Sequence, residues 1–203
     1  MQMTPEGADF AADPMPPEIA ALRDGAEPVW IFAYGSLMWD PEFPRIEAEP
    51  ALLRGYHRRF CLYSYDYRGT RAQPGLTLGL DRGGACRGIV LHLPPETLAE
   101  AIDSLWSREM TAPRVYDMRS LPVWTARDRL RALALTVRRD HPDYAGRLSL
   151  DETARIITGA AGRRGANREY LTGTVRHLAD LGLADVQLTR LAERVEELTA
   201  AAG

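Results

Sequence analysis

The 203-residue chain is 45% hydrophobic and 26% charged, which is enough apolar content for one domain with a substantial core and too much for a disordered protein. Its formal net charge is −3, and all 25 basic residues are arginine. The absence of lysine excludes a Walker-type phosphate loop, a Schiff base to pyridoxal phosphate or a substrate carbonyl, and a lysine general base.

The arginines are dispersed, adjacent only at Arg58-Arg59, Arg138-Arg139 and Arg163-Arg164, so no basic stripe suggests a nucleic-acid partner. No apolar run is long enough to span a bilayer, and Met1 to Pro28 carries six acidic residues against Arg23 alone, unlike a secretory leader. Cys61 and Cys86 are too few for a disulfide scaffold and read as small buried hydrophobes. Together these features lead us to expect a cytoplasmic protein.

Residues 1–27 are acidic and rich in Pro and Ala, and are expected to form a partly disordered arm with a short helix at Pro17 to Leu22. Residues 28–203 are expected to form a single domain. Val29 to Phe32 reads as a strand buried on both faces, delivering Tyr34-Gly35-Ser36 to its carboxyl end. Gly35 permits a left-handed or sharply turned backbone, so successive N–H groups could converge on an anion, and Ser36 could add a hydroxyl. A strand ending in a tight turn, with Tyr34, Met38 and Trp39 as core, fits the same spacing.

Asp40 to Pro44 marks a turn, and Ala48 to Leu53 and Arg59 to Tyr63 read as two strands. A long loop, Tyr63 to Gly75, follows. Leu76 to Leu80 and Cys86 to Leu93 read as a hairpin turning at Asp81-Arg82-Gly83-Gly84. Several short strands favour an antiparallel sheet curled into a barrel. Pro94-Pro95 then opens a helix in which Leu98, Ile102 and Leu105 recur at helical spacing and Glu109 falls on the same face. There, near a helix C-terminus and toward the core, desolvation and the helix dipole both favour the neutral acid, as an acid–base catalyst needs. A frayed helix end with Glu109 paired to Arg108, Arg114 or another arginine is the alternative.

Strands follow at Met118 to Trp124 and Leu130 to Val137. The C-terminal third is helical: Ser149 and Glu152 make a capping box for a helix to about Ala161 closed by Gly162. Asn167 can cap a second helix through Leu181 with Gly182 as its stop, and Asp185 a third through about Leu198.

His57, His92, His141 and His177 lack metal-site spacing, so no metal is predicted. Ser36 lies outside the Gly-x-Ser-x-Gly pattern of a serine nucleophile. What survives is a reaction needing no metal, cofactor or protein nucleophile, and intramolecular chemistry of the substrate meets that description.

Tyr34-Gly35-Ser36-Leu37-Met38-Trp39 followed by Arg108-Glu109 resembles the ChaC family, the glutathione-specific γ-glutamylcyclotransferases. Arg58-Arg59-Phe60, Arg68-Gly69 with Pro74-Gly75, Pro142-Asp143-Tyr144 and Glu169-Tyr170-Leu171 resemble family segments in the same order, over roughly Val29 to Leu181. The resemblance implies an α+β, γ-glutamylcyclotransferase-like fold, a small antiparallel or mixed β-barrel with flanking helices. It implies glutathione as substrate, 5-oxoproline and Cys-Gly as products, and no cofactor. It also implies Glu109 as acid–base, the loop Tyr34, Gly35, Ser36 and Leu37 as the γ-glutamyl cradle, and Tyr170 near the substrate. One departure stands out: Met110 to Tyr116 lacks the glycine that the family usually places between the glutamate and the next tyrosine. Arg68, Arg71 and Arg114 are candidates to hold the Cys-Gly carboxylate. Other γ-glutamyl amino acids or amines, or a non-catalytic small-molecule binding domain, would use the same loop.

Overall fold

The computed structural model describes residues 14–41, 43, 47–109 and 114–201. Residues 1–13 of the acidic arm, parts of the turn at 40–44 and the glycine-lacking segment at 110–113 lie outside these.

Five strands close a barrel: β1 (Val29–Ala33), β2 (Glu47–Ser64), β3 (Gly75–Leu93), β4 (Tyr116–Thr125) and β5 (Arg129–Val137). The order is β1-β3-β2-β4-β5. All neighbours are antiparallel except the closing seam, where β1 and β5 run parallel through Trp30↔Ala132 and Ile31↔Leu133. β1 is all but buried, as its unbroken apolar run requires.

The predicted hairpin at Asp81 to Gly84 is not a chain reversal. β2 and β3 are each continuous and pair from Glu47↔His92 to Ser64↔Gly75, so the reversal is the 65–74 loop. Gly83 (φ 110°) and Gly84 (φ 67°) lie opposite Gly55 (φ 84°), where the register skips between Arg54 and Tyr56. The left-handed glycines therefore make a bulge that bends one long ribbon around the barrel. For the same reason Ala48 to Leu53 and Arg59 to Tyr63 are two halves of one strand.

Helices cover the barrel. α1 (Pro17–Arg23) and α2 (Pro95–Glu109) lie together: Ile19 is 1% exposed, and Arg23 forks onto Asp103 through Nε and Nη2 at 2.6 and 2.7 Å. α2 buries Leu98, Ala101, Ile102 and Leu105, the stripe its spacing predicts. α3 (Leu150–Gly159) starts at the expected capping box of Ser149 and Glu152. It ends before Gly162, which belongs instead to the two-residue ribbon β6 (Ala161–Gly162) and β7 (Gly165–Ala166). α4 (Asn167–Asp180) ends where Gly182 turns left-handed, and α5 (Val186–Ala201) is capped by Asp185, which accepts from Gln187 and Leu188 N–H.

Asn167 does not cap α4; Ala166 stands at that position. The fully buried Asn167 amide instead accepts from Leu76 N–H at 2.7 Å and donates to Leu76 C=O at 2.8 Å. It pairs with β3 as another strand would, and so fixes α4 to the barrel. Among the described residues, no helix is long and apolar enough to cross a membrane.

Candidate active site

β1 ends at Ala33, and Tyr34 leads through Gly35 into a single 3₁₀ turn, Ser36–Met38. Met38 and Trp39 N–H return to the Gly35 and Ser36 carbonyls, so the N–H groups of Gly35, Ser36 and Leu37 come before the turn's first internal bond. Gly35 is not left-handed (φ −140°, ψ −136°). A Cβ there would meet Leu78 Cδ2 at 3.5 Å, an ordinary contact, so crowding does not require the glycine. Tyr34, Leu37 and Met38 are buried in the core while Ser36 is exposed. The loop is thus anchored by its apolar side chains, and Leu37 has its main chain rather than its side chain to offer a ligand.

Glu109 is the last residue of α2, half-buried, with Arg108 Nε donating to its Oε1 at 2.8 Å. Arg108 also donates from Nη1 to the Asp40 carbonyl at 3.3 Å, tying the end of the helix to the chain leaving the 3₁₀ turn. The ion pair foreseen for a structural Glu109 is therefore present, and it positions the carboxylate beside the loop.

Three phenols gather around this point. The Tyr116 hydroxyl at the start of β4 donates to Leu78 C=O at 3.2 Å. Tyr170 on α4 packs edge-on against Phe60, with ring centroids 5.5 Å apart. Burial raises the pKa of Tyr34 and Tyr116 well above the ordinary phenol value and pushes Tyr170 up to about 12, and the Glu109 charge adds to the rise in all three. All three therefore stay protonated at neutral pH.

Trp39 stacks on His177 of α4 at 4.5 Å, so the loop and Tyr170 are referenced to the same helix. The Arg68 guanidinium lies 4.8 Å from the Tyr170 ring centroid and donates to the Arg164 carbonyl. Its loop is folded so tightly that a Cβ on Gly69 would lie 2.0 Å from Gly75 N, and one on Gly75 2.1 Å from Arg68 O, which explains the glycines beside Arg68 and Pro74. Of the other candidate arginines, Arg114 lies over Trp106 at 5.9 Å and Arg71 is exposed.

The structure thus brings together the Tyr34–Leu37 loop, Glu109 and Tyr170, and adds Tyr116 and the Leu78 main chain. The sequence reading gave Tyr116 no role beyond marking the end of the glycine-lacking segment. No side-chain pattern could point to Leu78, which contributes peptide atoms. A separate groove of about 510 Å³ between α4 and α5, lined by residues such as Thr172, Gly173, Val195 and Thr199, includes none of this group.

A family model described as ChaC-like protein matches residues 29–198. The chain belongs to the ChaC-like family. Among its relatives, this ChaC-like chain is 37% identical over 185 residues to the glutathione-specific γ-glutamylcyclotransferase of Escherichia coli, covering 89% of this chain and 78% of that protein. It is 30% identical over 180 residues to γ-glutamylcyclotransferase 2-3 of Arabidopsis thaliana, covering 84% and 89% respectively. The crystal structure of a yeast γ-glutamyl cyclotransferase described as specific to glutathione superposes with a TM-score of 0.74 at 25% identity, covering 84% of this chain and 96% of that one. The ChaC-like fold expected from the sequence, a small mixed barrel with flanking helices, is the fold observed.

Proposed function

We propose that the protein is a γ-glutamylcyclotransferase that cleaves glutathione to 5-oxoproline and Cys-Gly, with Glu109 as acid–base. One observation carries the reading: a carboxylate at the end of α2, tied through Arg108 to Asp40 just beyond the 3₁₀ turn, with its charge felt by the phenols of Tyr34, Tyr116 and Tyr170. The printed activities of the E. coli and yeast relatives support the same substrate.

The chemistry follows from the groups present. The loop folds the γ-glutamyl arm so that the substrate's own α-amine approaches its γ-carbonyl. Good orientation of two groups in one molecule is worth an effective concentration on the order of 10⁵ M or more. An α-ammonium with a pKa of about 8 must first lose a proton, which an ionised Glu109 accepts. The amine nitrogen then bonds to the γ-carbon, and the resulting oxyanion is met by the first N–H groups of the 3₁₀ turn, with the Tyr34 and Tyr170 hydroxyls as further donors. Collapse breaks the bond to the cysteinyl nitrogen. Two protons leave the attacking nitrogen and two reach the departing one, relayed by Glu109, so the products are the lactam and the ammonium form of Cys-Gly, and no water is consumed. In this reading Arg68, whose guanidinium lies against the Tyr170 ring, takes the Cys-Gly carboxylate. A cytoplasmic location accords with this substrate.

Incubation with reduced glutathione, followed by mass spectrometry of both products, tests the reading. Equimolar 5-oxoproline and Cys-Gly are expected from the wild type. Glu109→Gln should lose about 10² to 10⁴-fold in turnover, the usual worth of acid–base help, while still binding glutathione. Full activity in that variant would move the acid–base role elsewhere, and no product from the folded wild type would reject glutathione.

A further inference from the structure

The bend in the β2–β3 ribbon leaves a second cavity, of about 500 Å³, that contains none of Tyr34–Leu37, Glu109, Tyr116 or Tyr170. Arg58, Arg59, Arg147 and His57 line it, and among the described residues no aspartate or glutamate does. Its apolar lining includes Phe60, Leu148, Leu188 and Leu191. The volume lies in the usual range for small-molecule sites, about 300–1,000 Å³.

Arg58 is the telling residue. Its side chain is only 1% exposed, yet Nε and Nη1 make no hydrogen bond among the described residues. Its ion pair is a long one, Nε to Asp185 Oδ2 at 3.4 Å, and the other oxygen of that carboxylate is committed to capping α5. Leaving guanidinium donors buried without acceptors is costly, and proteins seldom do so without a partner for them. Arg59 is compensated by Asp81 at 3.5 Å. Arg147 is exposed and has no ion pair among the described residues. The cavity therefore carries one uncompensated charge at its mouth and one partly compensated charge at its base, beside an apolar wall.

We propose that this cavity is a binding site for a phosphate monoester with an apolar or aromatic body, Arg58 being the buried anchor and Arg147 the contact at the mouth. A dianionic phosphate offers acceptors to both guanidiniums at once, and Phe60 with the leucines takes the body. The proposal is independent of the reaction assigned to Glu109.

Calorimetric titration of the full chain with phenyl phosphate in chloride buffer tests it, with inorganic phosphate and phenol as separate probes. One phenyl phosphate should bind per chain, at least about tenfold more tightly than either fragment. Arg147→Gln should weaken it by about tenfold, the low end for a charge-assisted hydrogen bond because Arg147 is exposed, with the melting temperature and glutathione turnover unchanged. Arg58→Gln should abolish binding. Should that variant fail to fold, Leu150→Glu is the substitute: Leu150 lines the cavity, is 46% exposed at the first turn of α3, and would place a repelling carboxylate there. No binding at millimolar phenyl phosphate, equal affinity in Arg147→Gln and Leu150→Glu, or displacement by glutathione from Glu109→Gln would each overturn the assignment.

Discussion

Replacing Asn167 with leucine keeps a side chain of similar bulk and removes both hydrogen bonds to Leu76, at 2.7 and 2.8 Å. Asn167 and Leu76 are both fully buried, so water cannot reach the Leu76 N–H and C=O left behind. Each stranded buried group costs about 1–3 kcal/mol, giving about 2–6 kcal/mol for the pair. With a urea slope of roughly 2–3 kcal/mol/M for a chain of this size, the unfolding midpoint should fall by about 1–2 M with the slope unchanged. Tyr170 lies three residues further along α4, about 4.5 Å up the axis, so glutathione turnover should fall even in conditions where the variant remains folded. Urea titration followed by circular dichroism, paired with the product assay, reads both effects. A midpoint shift below about 0.3 M, equivalent to less than about 1 kcal/mol, would refute the view that this amide seats the helix.

Arg68→Leu should raise KM for glutathione by about 10- to 100-fold, the worth of a charge-assisted hydrogen bond, and leave a γ-glutamyl amine lacking a carboxylate unaffected, as steady-state kinetics on the two substrates would reveal. Asp81→Asn should destabilise the fold by about 3–5 kcal/mol in thermal or urea unfolding, because the buried Asp81 accepts from Arg139, Tyr144 and Arg82 N–H at 2.6, 2.9 and 2.8 Å. Burial alone would raise the Asp81 pKa, but these bonds outweigh it and the net shift is downward. Its contribution is therefore complete above the ordinary carboxylate range and is lost as pH falls through the lowered value. The phenols behave oppositely. With pKa values raised in the folded state, Tyr34, Tyr116 and Tyr170 stabilise the fold fully below about pH 10, and that contribution fades as pH climbs from there through their raised values. Tyrosinate absorbance during alkaline titration should show these three ionising only as the fold gives way.

What the sequence made legible is what side-chain type and period can carry. The strand into Tyr34, the α2 stripe ending at Glu109, the Ser149–Glu152 box and the Asp185 cap all express local rules, and each appears where its residues predict. Gly83-Gly84 misled because two left-handed glycines serve equally for a reversal and a bulge; the choice belongs to Gly55 and the partner strand, distant in sequence. Asn167 misled in a similar way. An asparagine before a helix usually caps it, and only the burial of Leu76 beside it turns the amide inward. The contribution of Leu78 to the site comes through peptide atoms, which every residue possesses.

The barrel's parallel seam also bears on how the chain reaches its fold. Trp30 and Ile31 find partners in β5 about 100 residues away, a closure that costs about 4 kcal/mol in chain entropy, against about 2 for the ten-residue loop joining β2 and β3. The long ribbon should therefore assemble early, and the seam last. Being held by so few residue pairs, the seam is also where the finished barrel should open first, and its amides should exchange with solvent ahead of those in β2 and β3. Tyr34 lies immediately beyond β1, so the Tyr34–Leu37 loop hangs from the part of the barrel expected to form last and loosen first.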